Sequence, residues 1–135
     1  MLGMHGNLGP NVKTNECDVL IAIGMRFDDR VTGNLETYAR QAKIIHLDID
    51  PAEVNKNVAV DVAVLGDCKQ TLRQLTERVT EARHTDWIES FKPYEEQEYA
   101  HVIESEVYPK EGPLKMGEVA RAVSDAAGGN AILVT

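Results

Sequence analysis

The chain has 135 residues, 43% of them apolar, with a formal net charge of -8 and an isoelectric point near 4.9. That length suits one ordinary globular core, and the acidic balance argues against nucleic-acid or anionic-membrane partners, since both need a basic patch. A small phosphorylated ligand is not excluded, because it needs only local donors and one or two arginines.

Residues 1–14 are glycine-rich and polar, with Gly3, Gly6, Gly9 and Pro10, which predicts a loop leading into a short helical turn. Glycines at 3 and 6 let backbone approach a ligand and offer N–H groups, and His5 between them is a candidate base or hydrogen-bonding residue. Their spacing does not match the dinucleotide fingerprint, in which a single residue separates the first two glycines. Residues 18–24 then have the length and β-branched content of a buried parallel strand. Arg26, Asp28, Asp29 and Arg30 follow that strand closely. In open α/β sheets the residues just past a strand's carboxyl end line the ligand crevice, so these charges mark a site. Either arginine suits a phosphate or carboxylate through its guanidinium fork, with the aspartates as candidate partners. A cation held by the two aspartates would have to compete with both arginines.

After a polar segment at 33–42, residues 43–50 read as a second buried strand, which Pro51 ends. Asp50-Pro51-Ala52-Glu53 resembles a helix start, with an acidic cap, proline at the first position and glutamate at the third, although any such helix must be brief. Residues 58–65 return to alternating apolar residues that suit a third, peripheral strand. Asp48 follows Gly24 by 24 residues, the place where nucleotide-binding α/β folds put a carboxylate on ribose hydroxyls; Asp50 is as well explained by capping the next turn. Gly66-Asp67 opens a helix with Cys68, Leu72, Leu75 and Val79 on one face and Asp67 as its cap.

Residues 80–112 are rich in glutamate, hold Pro93, Pro109 and the single tryptophan Trp87, and read as a solvated, partly helical linker. A new amphipathic helix follows Gly112-Pro113, with Met116, Val119, Ala120, Val123 and Ala127 on one side and Gly128-Gly129 as its stop. Residues 131–135 read as the beginning of a strand. Strands alternating with helices predict an α/β fold, a Rossmann-like parallel sheet flanked by helices. The expected divisions are 1–82 for that sheet, 83–112 for the acidic linker and 113–135 for the start of a further domain. Cys17 and Cys68 form no CxxC pair and read as small core residues. No apolar run approaches the ~20 residues of a membrane span, and no leader is recognisable, so a cytoplasmic location is expected. From the residues alone, three strand ends point at one nucleotide-type cofactor crevice.

The strings Leu2-Gly3-Met4-His5-Gly6, Arg26-Phe27-Asp28-Asp29-Arg30-Val31-Thr32-Gly33 and His46-Leu47-Asp48-Ile49-Asp50-Pro51-Ala52-Glu53, with Lys56-Asn57 and Gly66-Asp67, resemble in order and spacing the catalytic large subunits of acetolactate synthases. The likeness is dense over about residues 1 to 80, and residues 113–135 look like the start of that family's thiamine-diphosphate-binding domain. It implies a parent enzyme that condenses two pyruvates, or pyruvate with 2-oxobutyrate, with loss of CO2, in branched-chain amino-acid synthesis. It implies thiamine diphosphate and Mg2+ as cofactors, an FAD without a redox role held by the middle domain, a homodimer of large subunits and a regulatory small subunit. By matching position, Leu2, Gly3, Met4, His5, Gly6, Gly24, Met25, Arg26, Asp29, Arg30, Val31, Asp48, Ile49, Glu53, Gly66 and Asp67 look like flavin-site residues. Met4, Asp29 and Arg30 would also border the channel to the thiamine site.

No residue here matches the family's cofactor-activating glutamate or its diphosphate and metal motif, so the resemblance implies no catalytic or metal-binding residue in these 135 and no activity by them alone. Asn7, Leu8 and Gly9 depart from the family's pattern in the first loop. Two other readings stand beside this one: a nucleotide-binding module for NAD(P), as in a transhydrogenase, and a subunit-assembly segment without catalytic role.

Overall fold

Three β-branched runs pair as parallel strands in the computed structural model, which describes residues 1–132 and residue 134. They are β1 (Val19–Ile23), β2 (Lys43–Asp48) and β3 (Val62–Leu65), in the order β1-β2-β3. Leu20 lies opposite Ile44, Ala22 opposite His46 and Ile23 opposite Leu47; on the other edge Leu47 lies opposite Val64 and Asp48 opposite Leu65. The chain divides into two compact units, residues 1–91 and 92–135, and the sheet belongs to the first.

The period-two alternation of β-strands puts Leu20, Ala22, Ile44 and His46 on one face. Ala22 and Ile44 are buried there with Phe27, Tyr38 and Ala39, and Leu20, Met25, Ala42, Val58 and Val60 pack against the cluster. Phe27 meets Tyr38 and His46 edge-on, at ring-centroid separations of 6.2 and 5.1 Å. On the opposite face Val19, Ile21 and Ile23 stay 45–48% exposed, whereas Leu47 is 2% exposed. The expected burial of the first strand therefore holds on one side only. β2 has a neighbour on each edge and α3 (Cys68–Thr76) packed against it, while among the described residues β1 is an edge strand with one neighbour.

Helices and turns in this unit follow local chemistry. The first loop runs into α1 (Leu8–Thr14), and α2 (Asp29–Thr32) is a single turn. α3 starts as expected, with Asp67 accepting a hydrogen bond from the Gln70 backbone, but it ends at Thr76, so Val79 lies beyond it and is 60% exposed. The brief helix expected after Asp50 is absent. Asp50 Oδ1 instead accepts the Ala52 N–H at 2.9 Å, an Asx-type turn, and Asn55 has a left-handed φ of 58° that a helix does not allow. The third strand is shorter than the alternation of residues 58–65 suggests. The Asn55 side chain ties the Val60 N–H at 2.9 Å, and Val58 and Val60 pack into the core, so regular pairing begins only at Val62.

Past β3 and α3, α4 (Thr85–Glu89) carries Trp87, whose ring sits edge-on to Phe91 at 5.8 Å and 5.1 Å from Lys13 Nζ. Cys17 and Cys68 are half-buried, short of the core placement expected of them.

The regular structure among the described residues of the second unit is helical. α5 (Lys92–Glu98) continues through a π-helical stretch, Tyr99–Ile103, into α6 (Glu104–Glu106), and α7 (Met116–Ala126) ends as expected before Gly128. Arg121 Nε donates to the Val107 carbonyl at 3.0 Å with its guanidinium 4.8 Å from the Tyr108 ring, and Lys115 pairs with Glu106 at 2.8 Å. No described residue of this unit is buried. The strand expected at 131–135 includes Leu133 and Thr135, which lie outside the described residues; Ala131 and Ile132 carry no strand.

Candidate functional site

The ladder continues one residue beyond the strands, because Gly24 donates its N–H to the Leu47 carbonyl and Gly66 to that of Asp48, both at 2.9 Å. Gly24, Asp48 and Gly66 thus form a row across the carboxyl edge of a parallel sheet, where open α/β folds place their ligands. Ile49 and Asp67 extend it; Ile49 is 72% exposed, unusual for an isoleucine, and Asp67 caps α3. Asp48 is nearly buried, with Oδ1 accepting the Asp50 N–H at 2.8 Å.

The charged segment after β1 turns inward before it turns out. Phe27 takes a left-handed φ of 51° and is 2% exposed, which plants its ring in the core and leaves Arg26 and Asp28 at the surface. Asn57 Nδ2 donates to the Phe27 carbonyl at 3.0 Å, fixing this bend from the turn after β2. Arg26 Nε donates to Asp28 Oδ2 at 2.8 Å, and Asp28 Oδ1 accepts the Arg30 N–H at 3.1 Å, capping α2. The Arg26 guanidinium beside it holds the Asp28 carboxyl below the usual carboxylate range. Asp29 and Arg30 are exposed and make no ion pair with any described residue. The four charges therefore divide into one structural pair and one open pair.

The first loop is laid on α2. Met4 donates its N–H to the Arg30 carbonyl at 2.9 Å, and Gly3 is gripped twice by Asn11, whose Oδ1 accepts the Gly3 N–H at 2.8 Å and whose Nδ2 donates to the Gly3 carbonyl at 2.9 Å. Gly3 has a φ of 87°, and a Cβ there would stand 2.5 Å from the Arg30 carbonyl oxygen, so only glycine permits this approach.

Between loop and helix lies a cleft of about 610 Å3, lined by Leu2, Gly3, Met4, Asp29, Arg30 and Val31 among the predicted residues. Asn11, Thr14, Asn15 and Tyr38 also line it, and the Tyr38 hydroxyl is buried without a hydrogen-bond partner. Burial pushes the Tyr38 phenol up from its ordinary value.

Of the remaining predicted residues, His5 is exposed, and Gly6 donates its N–H to the Gly3 carbonyl at 2.9 Å, closing the loop. Met25 packs on the core, and Glu53 pairs with Lys56 at 2.7 Å through Oε1 while its Oε2 is buried without a partner. None of these four lines the cleft. Asn11, Asn57 and Tyr38 escaped the reading of the sequence as site residues. The only signal for Asn57 was its place in the Lys56-Asn57 string, and none marked Asn11 or Tyr38. Among the described residues no three His, Cys, Asp or Glu side chains converge as a metal site would require.

Residues 1–75 match the family described as thiamine pyrophosphate enzyme, central domain. The acetolactate synthase large subunit of Parasynechococcus marenigrum (strain WH8102) is 45% identical over 131 residues, 94% of this chain and 20% of that protein. The probable acetolactate synthase large subunit of Methanocaldococcus jannaschii is 59% identical over 75 residues, 56% of this chain and 13% of that protein. Acetolactate synthase isozyme 2 large subunit of Escherichia coli (strain K12) is 51% identical over 87 residues, 64% of this chain and 15% of that protein. The chain thus spans a fifth or less of the length of these curated relatives.

Proposed function

This chain belongs to the thiamine pyrophosphate enzyme family through its central domain, and from that premise we propose that it is a stretch of an acetolactate synthase large subunit supplying one wall of an FAD site. The parent reaction joins two pyruvates into acetolactate with release of CO2, or pyruvate to 2-oxobutyrate in the same way. It would work as a cytoplasmic dimer of large subunits with a regulatory small subunit. Thiamine diphosphate with Mg2+ supplies the electron sink for decarboxylation, and no residue here is assigned to it. A division at 1–82, 83–112 and 113–135 accompanies this reading.

The row Gly24, Asp48 and Gly66 is the observation that carries it. A carboxylate at the middle strand end accepts hydrogen bonds from vicinal ribose hydroxyls, and the glycines on either side leave the row open to a nucleotide. The cleft between the first loop and α2 has room for a planar ring, its Gly3 backbone held where no side chain fits, with the orphaned Tyr38 hydroxyl and the open Asp29 and Arg30 at its walls. Arg30, which makes no ion pair with any described residue, is the residue to meet an anionic group at the channel side.

FAD titrated into the purified chain is expected to quench flavin fluorescence and raise the melting temperature, with NADP giving no shift. Stabilisation by NADP and not FAD would replace this reading with the nicotinamide one. Given pyruvate, thiamine diphosphate, Mg2+ and FAD, these 135 residues alone are expected to form no acetolactate, and product formation would overturn that part.

A further inference from the structure

His46 is the most completely buried polar side chain of the sheet unit, with no exposed surface, and neither ring nitrogen has a hydrogen-bond partner. Buried polar groups are seldom left so, since an unmade hydrogen bond destabilises the fold. Its ring is wedged by Phe27, whose left-handed backbone drives that side chain into the core. The nearest complementary group is Asp48, with Oδ2 at 3.6 Å from His46 Nε2. The other Asp48 oxygen is already fixed by the Asp50 N–H at 2.8 Å.

We propose that His46 is a positioning residue for Asp48: Nε2–H donates to Asp48 Oδ2 and sets the plane of the carboxylate at the middle of the strand-end row. A shortening of about half an ångström makes this a charge-assisted hydrogen bond. With one donor on each oxygen, Asp48 keeps one free lone pair per oxygen, a matched pair of acceptors for two adjacent hydroxyls. The link also ties the two walls of the site. Phe27, from the charged segment after β1, holds the imidazole that orients the acidic residue at the end of β2. The hydrogen bond itself is a claim about this chain alone, and its effect on ligand binding rests on the FAD reading above.

Two measurements separate these parts. The ring nitrogens of His46, observed by long-range 1H–15N correlation in the isolated chain, are expected to show the Nε2–H tautomer, with the Nε2 signal moving in Asp48→Asn. The Nδ1–H tautomer, or a signal indifferent to that substitution, would overturn the hydrogen bond. His46→Leu, which fills the space without a donor, is expected to weaken FAD binding roughly tenfold, and His46→Gln, which keeps one, to stay within roughly threefold. His46→Leu binding FAD as tightly as the unaltered chain would reduce His46 to packing. If the unaltered chain binds no FAD, the flavin reading falls and the tautomer alone decides for or against His46.

Discussion

Both units of this chain form regular structure, but they differ in what they bury. In residues 1–91, Ala22, Phe27, Ile44 and Leu47 are 5% exposed or less; in residues 92–135, where helices α5 to α7 lie, no described residue is buried. Helical periodicity is present in both: α7 puts Val119, Ala120 and Val123 at helical spacing, as α3 does with Cys68, Leu72 and Leu75. Neither stripe is fully buried, with Leu75 37% and Val123 41% exposed; the core of the first unit lies instead on the sheet face covered by the segment carrying Phe27, Tyr38 and Ala39. The first unit should therefore respond to mutation as a packed body and the second as a set of helices opening locally.

The largest expected difference is in the cores. Leu47→Ala should destabilise the sheet unit by about 2–5 kcal/mol in urea unfolding, the range for a buried leucine, while Val119→Ala in α7 should cost under about 1 kcal/mol. Similar losses at both sites would erase the contrast drawn above.

Two close backbone approaches give a smaller contrast. Gly3→Ala combines a left-handed φ with a Cβ 2.5 Å from the Arg30 carbonyl oxygen, so a loss of about 1–3 kcal/mol and a collapse of the cleft are expected. Gly117→Ala meets the Glu106 carbonyl oxygen at 2.7 Å, a backbone atom that must shift, and the gain of about 1 kcal/mol in helix propensity inside α7 offsets only part of that, so a smaller loss than at Gly3 is expected. Circular dichroism melting of both variants checks this, and a tolerated Gly3→Ala would show that the first loop is not pinned on α2.

Exposed ion pairs should matter least, although both units have them: Arg26–Asp28 and Lys115–Glu106, each at 2.8 Å. Arg26→Met should leave stability at pH 7 nearly unchanged. The Asp28 carboxyl is depressed mainly by the Arg26 hydrogen bond, so its contribution is present above the unfolded carboxylate value of about 3.9 and is lost as pH falls through the lower folded value. The variant should therefore titrate Asp28 closer to its ordinary value by NMR and show a slightly shallower loss of stability in acid. An Asp28 titration unaffected by the substitution would mean that the pair seen here does not form in solution.

Much of the site was legible in order along the chain. The apolar runs gave the strands, the position of the charges past β1 gave one wall, and Asp48 and Gly66-Asp67 gave the neighbouring strand ends. What the residues could not supply was the division among those charges. Asp28 differs from Asp29 only in its place relative to α2, yet it becomes both the helix cap and the partner of Arg26, while Asp29 and Arg30 stay open. The Asp50 turn misled because a proline after an acidic residue suits a helix start and an Asx turn alike. Asn55 in the left-handed region decided for the turn.

The sequence by itself determined where β1 and β2 lie and where β3 ends, the Asp67 cap and the glycine stop of α7, since each depends on residues within a few positions of one another. Only the tertiary structure decided that Asn11 grips Gly3, that Asn57 reaches the Phe27 carbonyl from 30 residues away, that Asn15 holds the Ala39 N–H from 24 away, and that His46 lies buried beside Asp48. It also decided which side of β1 is covered. A period of two says that alternate side chains share a face, but burial depends on what packs there. Over Leu20 and Ala22 that is the segment carrying Phe27 and Tyr38, whereas Val19, Ile21 and Ile23 remain half exposed.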